Sequence, residues 1–329
     1  MMDQLIADFS NHLEEALDVG KQADFSNTDQ SFVNVLICGL GGSGIGGTII
    51  SQLVADKCHV PVIVNKDYHI PAFVNEDTLV ICCSYSGNTE ETLSMYEAAA
   101  NKGATVSIIT SGGKFAEIAE QEDLNIIQIR GGFPPRAAFG LSFPQLFFTL
   151  SAYGLIDDSF ISEIEKSIVT LNEREDQIQE SANSIANKLN GKLPIIYSES
   201  SLEGVAVRFR QQINENSKML CWHHAIPEMN HNELVGWRTE NENLAVVYLR
   251  SEDDFYRNAA RINQNKEVIK NYTSTIIEMN AKGESALERV LYLVHLGDWV
   301  SEFIAQLKGI DSVEVDVITG LKNMLGKLD

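Results

Sequence analysis

Apolar residues in the first half of the chain come in short, nearly unbroken runs separated by stretches of helical period. The runs 32–38, 60–64, 78–83 and 105–109 predict strands, because continuous apolar sequence without polar alternation marks strands covered on both faces. Between them, 45–55 and 90–102 predict helices, so the alternation implies a parallel sheet. A loop with two glycines and two prolines, 131–135, precedes a helical stretch reaching about Tyr153. The second half repeats the pattern more weakly. It has polar helical sequence over 158–190, strands at 193–197, 244–249 and 272–278, helices between them including 205–220, and a last helix ending the chain. Leu5, Ile6, Phe9, Leu13 and Leu17 give an amphipathic helix at the start. The expectation is an α/β chain of two domains, 1–153 and 154–329, each a three-layer α/β/α unit with a mainly parallel sheet.

A chain of 329 residues is long enough for two cores. Its net charge of −21 changes the picture more. So acidic a protein is repelled by nucleic acid and by anionic membrane surfaces, which excludes both as main partners. Anionic small molecules stay in play, because a pocket of amide dipoles holds phosphate inside a negative protein. The N-terminus lacks the basic and apolar regions of a signal peptide, and no stretch approaches the length of a membrane span. The five cysteines, Cys38, Cys58, Cys82, Cys83 and Cys221, show no metal-ligand spacing. A reducing cytoplasm is the expected location.

Two loops carry the candidate chemistry. The first, GLGGSGIGG from Gly39 to Gly47, follows the first strand and opens a helix. It contains GxGxxG at Gly39, Gly41 and Gly44, a pattern that a dinucleotide site uses and that any tight anion-binding turn shares. A ribose would want an acid ending the second strand, and the chain has Asn65 there, with Asp67 two residues on. Ser43 beside the glycines suits a sugar oxygen equally well. The second loop, SYSGNTEET from Ser84 to Thr92, favours the sugar. Ser84, Ser86 and Thr89 offer three hydroxyls before a helix start, a cradle for a terminal phosphate. Plain capping competes, with Asn88 as N-cap and Glu91 three residues on. It leaves Ser84, Ser86 and Gly87 without a part.

These two loops resemble the sugar isomerase (SIS) superfamily. Four further segments, PPRAAFG around Arg136, RFRQQINENSK around Glu215, PEMNHNELVGW around His231 and ITGLKNML around Lys322, resemble the bifunctional phosphoglucose/phosphomannose isomerases. The similar segments run in family order across nearly the whole chain. The resemblance implies two SIS domains in a homodimer that interconverts glucose 6-phosphate or mannose 6-phosphate with fructose 6-phosphate, without metal or organic cofactor. It implies phosphate binding by Ser84, Ser86 and Thr89, with Gly42 and Ser43 near the sugar. Glu215 would be the base and Arg136 a stabiliser. His231, contributed by the neighbouring subunit, and Lys322 would open the ring. The family's last loop usually carries a threonine–proline pair, whereas residues 309–315 here read GIDSVEV. That departure leaves the balance between glucose and mannose substrates open.

Read without the resemblance, these residues say less. Moving a proton between C2 and C1 through a cis-enediol(ate) needs one base and one stabiliser of the enediolate oxygen, roles that a shielded carboxylate and a guanidinium fill. Pattern alone makes Glu215 a solvated helix residue and Lys322 a snorkelling surface lysine. Arg136, approached through the rigid pair Pro134 and Pro135, suits an enediolate stabiliser, with an inter-domain ion pair as its competing reading. His231, with His223, His224, Glu228 and Glu233 nearby, raises a metal site, but the spacing fits no helical HExxH pattern. A non-catalytic phosphosugar sensor, an isomerase of another sugar phosphate and a nicotinamide-dependent dehydrogenase remain as alternatives. A bacterial sensor of that kind would carry a basic DNA-binding helix pair, which this acidic chain lacks.

Overall fold

The structure is a computed structural model and describes residues 1–26 and 28–328. Two helices, α1 (Met2–Ala7) and α2 (Phe9–Gln22), precede the first sheet. That sheet is built from β1 (Asn34–Cys38), β2 (Val62–Asn65), β3 (Thr78–Ser84), β4 (Thr105–Thr110) and β5 (Asn125–Gln128). All its pairings are parallel, in the order β2-β1-β3-β4-β5. Helices α3 (Gly41–Leu53), α4 (Glu90–Ala100) and α5 (Gly113–Glu122) make the crossovers, and α6 (Phe139–Ala152) closes this half. The unbroken apolar runs have the predicted cause. Leu36, Cys38, Val80 and Cys82 face α4 and α5, while Val35, Ile37, Leu79 and Ile81 face α3 and α6.

The long helix α7 (Ser159–Leu189) leads to a second sheet of β6 (Leu193–Glu199), β7 (Trp222–Ile226), β8 (Leu244–Arg250) and β9 (Ile276–Asn280). It is parallel too, in the order β7-β6-β8-β9, with α8 (Glu203–Ser217) and α9 (Tyr256–Ile269) as crossovers. Then come α10 (Ala286–Lys308) and α11 (Asp316–Leu325). Ile196, Val247 and Met279 of this sheet share one apolar cluster with Val35 and Ile37 of the first, through α3, α6, α7, α8 and α10. The two sheets therefore hold α8 against α3 and bring the C-terminal ends of β1 and β3 near the end of α8.

Several elements escape the hydrophobic pattern, and the one helix expected after the last strand is two, α10 and α11. Strands β5 and β7 are short, half-exposed edge strands whose apolar runs are too brief to register, and α5 is a mostly polar helix. β9 begins at Ile276, later than the expected 272, because residues 272–274 pack as the turn after α9. α8 stops at Ser217, short of 220, because Lys218 takes a left-handed conformation (φ 49°) that ends the helix.

Candidate active site

In the first sheet the chain reverses between β1 and β3, and the crevice at the carboxyl ends of those two strands is where such sheets bind ligands. After β1 the glycine loop turns straight into α3. Gly42 lies on the backbone of Pro135 and Arg136; a Cβ there would stand 3.2 Å from the Pro135 carbonyl oxygen. Ser43 Oγ accepts a 3.2 Å hydrogen bond from the Tyr85 amide, which joins this loop to the one after β3.

That second loop is shaped from within. Ser84 is buried, its hydroxyl 2.8 Å from that of Thr89, whose amide also donates to it. Ser86 is exposed, and its Oγ accepts from the Asn88 amide at 3.3 Å. Gly87 has φ +70° and a Cβ there would meet the Gly112 carbonyl oxygen at 1.7 Å, so only glycine fits. The capping reading of Asn88 is corrected. The N-cap of α4 is Thr89, with no side-chain cap, while Asn88 accepts from the Lys114 amide at 3.0 Å and donates to the Ser86 carbonyl. The first amides of α4 are thus free of side-chain acceptors, a positive helix end beside two hydroxyls.

Tyr85 fixes the approach to Arg136. Its hydroxyl donates to the Arg130 carbonyl and accepts from the Phe133 amide, each at 3.1 Å. Arg136 then points from a short 3₁₀ turn (Pro135–Ala138) toward the end of α8. The guanidinium is 4% exposed and almost fully engaged. It donates to Asn216 Oδ1 at 2.7 Å, Glu215 Oε2 at 3.4 Å, and the carbonyls of Ser312 and Val313 at 2.6 and 3.2 Å. Burial pulls its pKa down, and the carboxylate of Glu215, followed by those of Asp311, Glu302 and Asp298, pulls it back. Glu215 keeps 29% of its side chain exposed, so its carboxylate touches both the arginine and solvent. Lys218 ties the region together by donating to the carbonyls of Glu215 and Glu314, 2.5 Å each.

The structure therefore gathers Gly42, Ser43, Ser84, Ser86, Thr89, Arg136 and Glu215 into one crevice from segments far apart in sequence. Two of the expected residues stand outside it. His231 ends a 3₁₀ turn (Glu228–His231) after β7, exposed, its side chain without a hydrogen bond to any described residue. Lys322 is exposed on α11, a helix that buries none of its residues. Sequence reasoning missed the parts played by Asn216 and by the backbone of 312–313. Asn216 sits in the quoted NENSK segment, and the second is a backbone contact that leaves no side-chain signature.

The competing ligands fit less well. At the end of β2 the position for a ribose-binding acid holds Asn65, whose amide donates to the His69 carbonyl at 2.5 Å. Glu233 is committed to His224 Nδ1 at 2.7 Å, Tyr197 and Trp222. Among the described residues no group of three or more His, Cys, Asp or Glu has metal-binding geometry. Among them, too, no helix is long and apolar enough to cross a membrane.

Comparison with known proteins gives the family. A family model described as the bacterial phospho-glucose isomerase C-terminal SIS domain matches residues 178–325. The bifunctional phosphoglucose/phosphomannose isomerase of Caldicellulosiruptor bescii is 40% identical over 99% of each chain. The protein of the same name from Aquifex aeolicus is 38% identical over 90% of this chain and 91% of its own. In fold, the C-terminal domain of glucosamine-fructose-6-phosphate aminotransferase from Francisella tularensis superposes with a TM-score of 0.74 at 14% identity, covering 95% of this chain and 98% of that one. With near full-length identity of this order, the chain belongs to the family of bifunctional phosphoglucose/phosphomannose isomerases.

Proposed function

We propose that the protein interconverts glucose 6-phosphate and mannose 6-phosphate with fructose 6-phosphate, in a site whose phosphate cradle lies in residues 1–153 and whose base comes from residues 154–329. The observation that carries this reading is the Arg136–Glu215 pair, 3.4 Å apart at the mouth of the β1/β3 crevice. A carboxylate beside a buried guanidinium is the minimum equipment for an enediolate reaction. Glu215 takes the proton from C2 of the aldose and returns it to C1. Arg136 holds the charge that develops on O1 in the enediolate, and the O2 hydroxyl proton passes to O1 as the C2 carbonyl forms. The substrate phosphate is held by the exposed Ser86 hydroxyl, Thr89 and the α4 amides, with Ser84 holding Thr89 in place. Gly42 and Ser43 border the sugar.

His231 and Lys322 act in ring opening, a role that suits an imidazole able to shuttle a proton near neutral pH. Because His231 is exposed and its side chain is hydrogen-bonded to none of the described crevice residues, it serves the crevice of a second copy in a homodimer. The backbone of 312–313 on Arg136 makes the 309–315 segment the element that sets epimer preference. All five cysteines are free thiols, in keeping with a reducing cytoplasm.

The test is turnover of each hexose 6-phosphate with chelator present, beside Glu215→Gln. Chelator-resistant formation of fructose 6-phosphate from both sugars, falling at least about a thousandfold in the variant, is expected. Binding of both sugars without turnover would replace this reading with a phosphosugar sensor.

A further inference from the structure

Arg136 is held by a chain of hydrogen bonds that runs back into α10, and the donors and acceptors along it permit one direction only. Asp298 and Ser301 lie on α10, buried, one turn apart. The Ser301 hydroxyl is 2.7 Å from the Asp298 carbonyl oxygen, which can only accept, so its proton is committed there. Its oxygen is left to accept, and Asn216 Nδ2 donates to it at 2.9 Å. That fixes the Asn216 amide with Oδ1 turned outward, 2.7 Å from Arg136 Nε, a group that can only donate. The Asp298 side chain grips the same arginine from its other end. Its Oδ2 lies 2.6 Å from Arg208, which also donates to the Arg136 backbone carbonyl at 3.2 Å and stacks on Phe139. Gln212 occupies Oδ1 at 2.8 Å.

We infer that Asn216 and Ser301 are positioning residues, which orient the Arg136 guanidinium through a directional Ser301–Asn216–Arg136 relay. This rests on the catalytic reading of Arg136 and Glu215. Asn216 adds geometry without charge. It satisfies Nε while leaving Glu215, among the described residues, the only carboxylate hydrogen-bonded to the guanidinium, so the positive charge stays available to the enediolate. An aspartate of the same shape would have no N–H for Ser301 and would bring a second negative charge against Arg136. Asn216 is wholly buried and Ser301 likewise, so neither touches a substrate and both act only through the arginine.

The experiment pairs kinetics with a signal independent of turnover. In Asn216→Asp, kcat for glucose 6-phosphate is expected to fall at least about tenfold, with KM within about twofold because the phosphate loop is untouched. In a nitrogen-15 spectrum of arginine side chains, the Arg136 Nε–H resonance, identified by its loss in Arg136→Lys, should exchange slowly with solvent. In Ser301→Ala, which loses only the hydroxyl, it should shift and exchange faster. A wild-type kcat in Asn216→Asp, or an unchanged Nε–H resonance in Ser301→Ala, would overturn the proposal. Absence of turnover in the wild-type protein would count against the functional reading alone, since the resonance reports the relay whether or not the chain is an isomerase.

Discussion

The second sheet repeats the order and parallel sense of the first four strands of the first, yet their corresponding edges differ in chemistry. Where β3 exits, the chain reads Ser86, Gly87, Asn88 and Thr89, small and uncharged. Where β8 exits at the equivalent place, it reads Ser251, Glu252, Asp253 and Asp254. Those acids are committed to arginines: Asp254 to Arg250 at 2.7 Å, Glu252 and Asp253 to the buried Arg289. Glu199, ending β6, accepts from the Phe255 amide and Asn258. One edge carries hydroxyls and no charge, and the other carries acids paired to arginines. Topology offers each sheet a crevice, and the residues at the strand ends decide whether it becomes a site. The second sheet instead contributes through α8, whose last turn carries Glu215 and Asn216 to the first.

The comparison breaks most visibly if the first edge is made like the second. Ser86→Asp keeps an acceptor for the Asn88 amide, so the loop is expected to fold, but it sets a carboxylate against the phosphate. Like charges so placed cost several kcal/mol, so kcat/KM should fall by about a hundredfold or more, mainly through KM. Ser86→Ala should lose about tenfold. Steady-state kinetics on both variants decides it, and an unchanged KM in Ser86→Asp would place the phosphate elsewhere.

A second experiment asks whether the second half supplies groups to a neighbouring copy. Glu215→Gln and His231→Ala are each expected to be nearly inactive. Mixed and allowed to exchange, half of the dimers are heterodimers with one intact crevice in two, so about a quarter of wild-type activity should return. No recovery despite verified exchange would confine His231 to its own chain.

Much of this contrast was legible in the sequence, and what was not has a physical cause. The strands buried on both faces announce themselves, because a run such as 78–83 has no polar residue after its first position. The hydroxyls of the second loop were equally plain. Asn88 misled, since a Asn-x-x-Glu spacing before a helix fits a capping box, and only the fold shows that its side chain is drawn off to Lys114 and Ser86. Arg136 and Glu215 lie 79 positions apart, and nothing local to either marks the pair. Seen alone, Glu215 has an ordinary surface explanation and Arg136 a competing one as an ion-pair partner; the family resemblance singled out the pair, and burial of the guanidinium explains why they meet.

The smallest expected effect concerns the edge strands. On the face covered by the first crossover helix, β2 pairs Val64 with Ile37 of the central β1, and β7 pairs His223 with Ile196 of the central β6, so His223 stands where the first sheet has a valine. Its Nδ1 is buried without a partner. Burial, then the charges of Arg210 on α8 and of His224, push its pKa from 6.5 down to about 4, with Glu233 pulling the other way and Glu203 4.0 Å off. The native state thus refuses a proton that the unfolded chain accepts below its ordinary value. Stability contributed by neutral His223 is present above pH 6.5 and drains away as pH falls toward 4. Between pH 7 and pH 5 this amounts to roughly 2 kcal/mol for a shift of this size. His223→Val, which copies the first sheet, should remove that slope while leaving the contribution of other groups such as His12 in place. Urea unfolding of both proteins at the two pH values measures it. If their stability difference is the same at pH 7 and pH 5, His223 titrates alike in the folded and unfolded chains, and the edge strands differ in shape but not in charge.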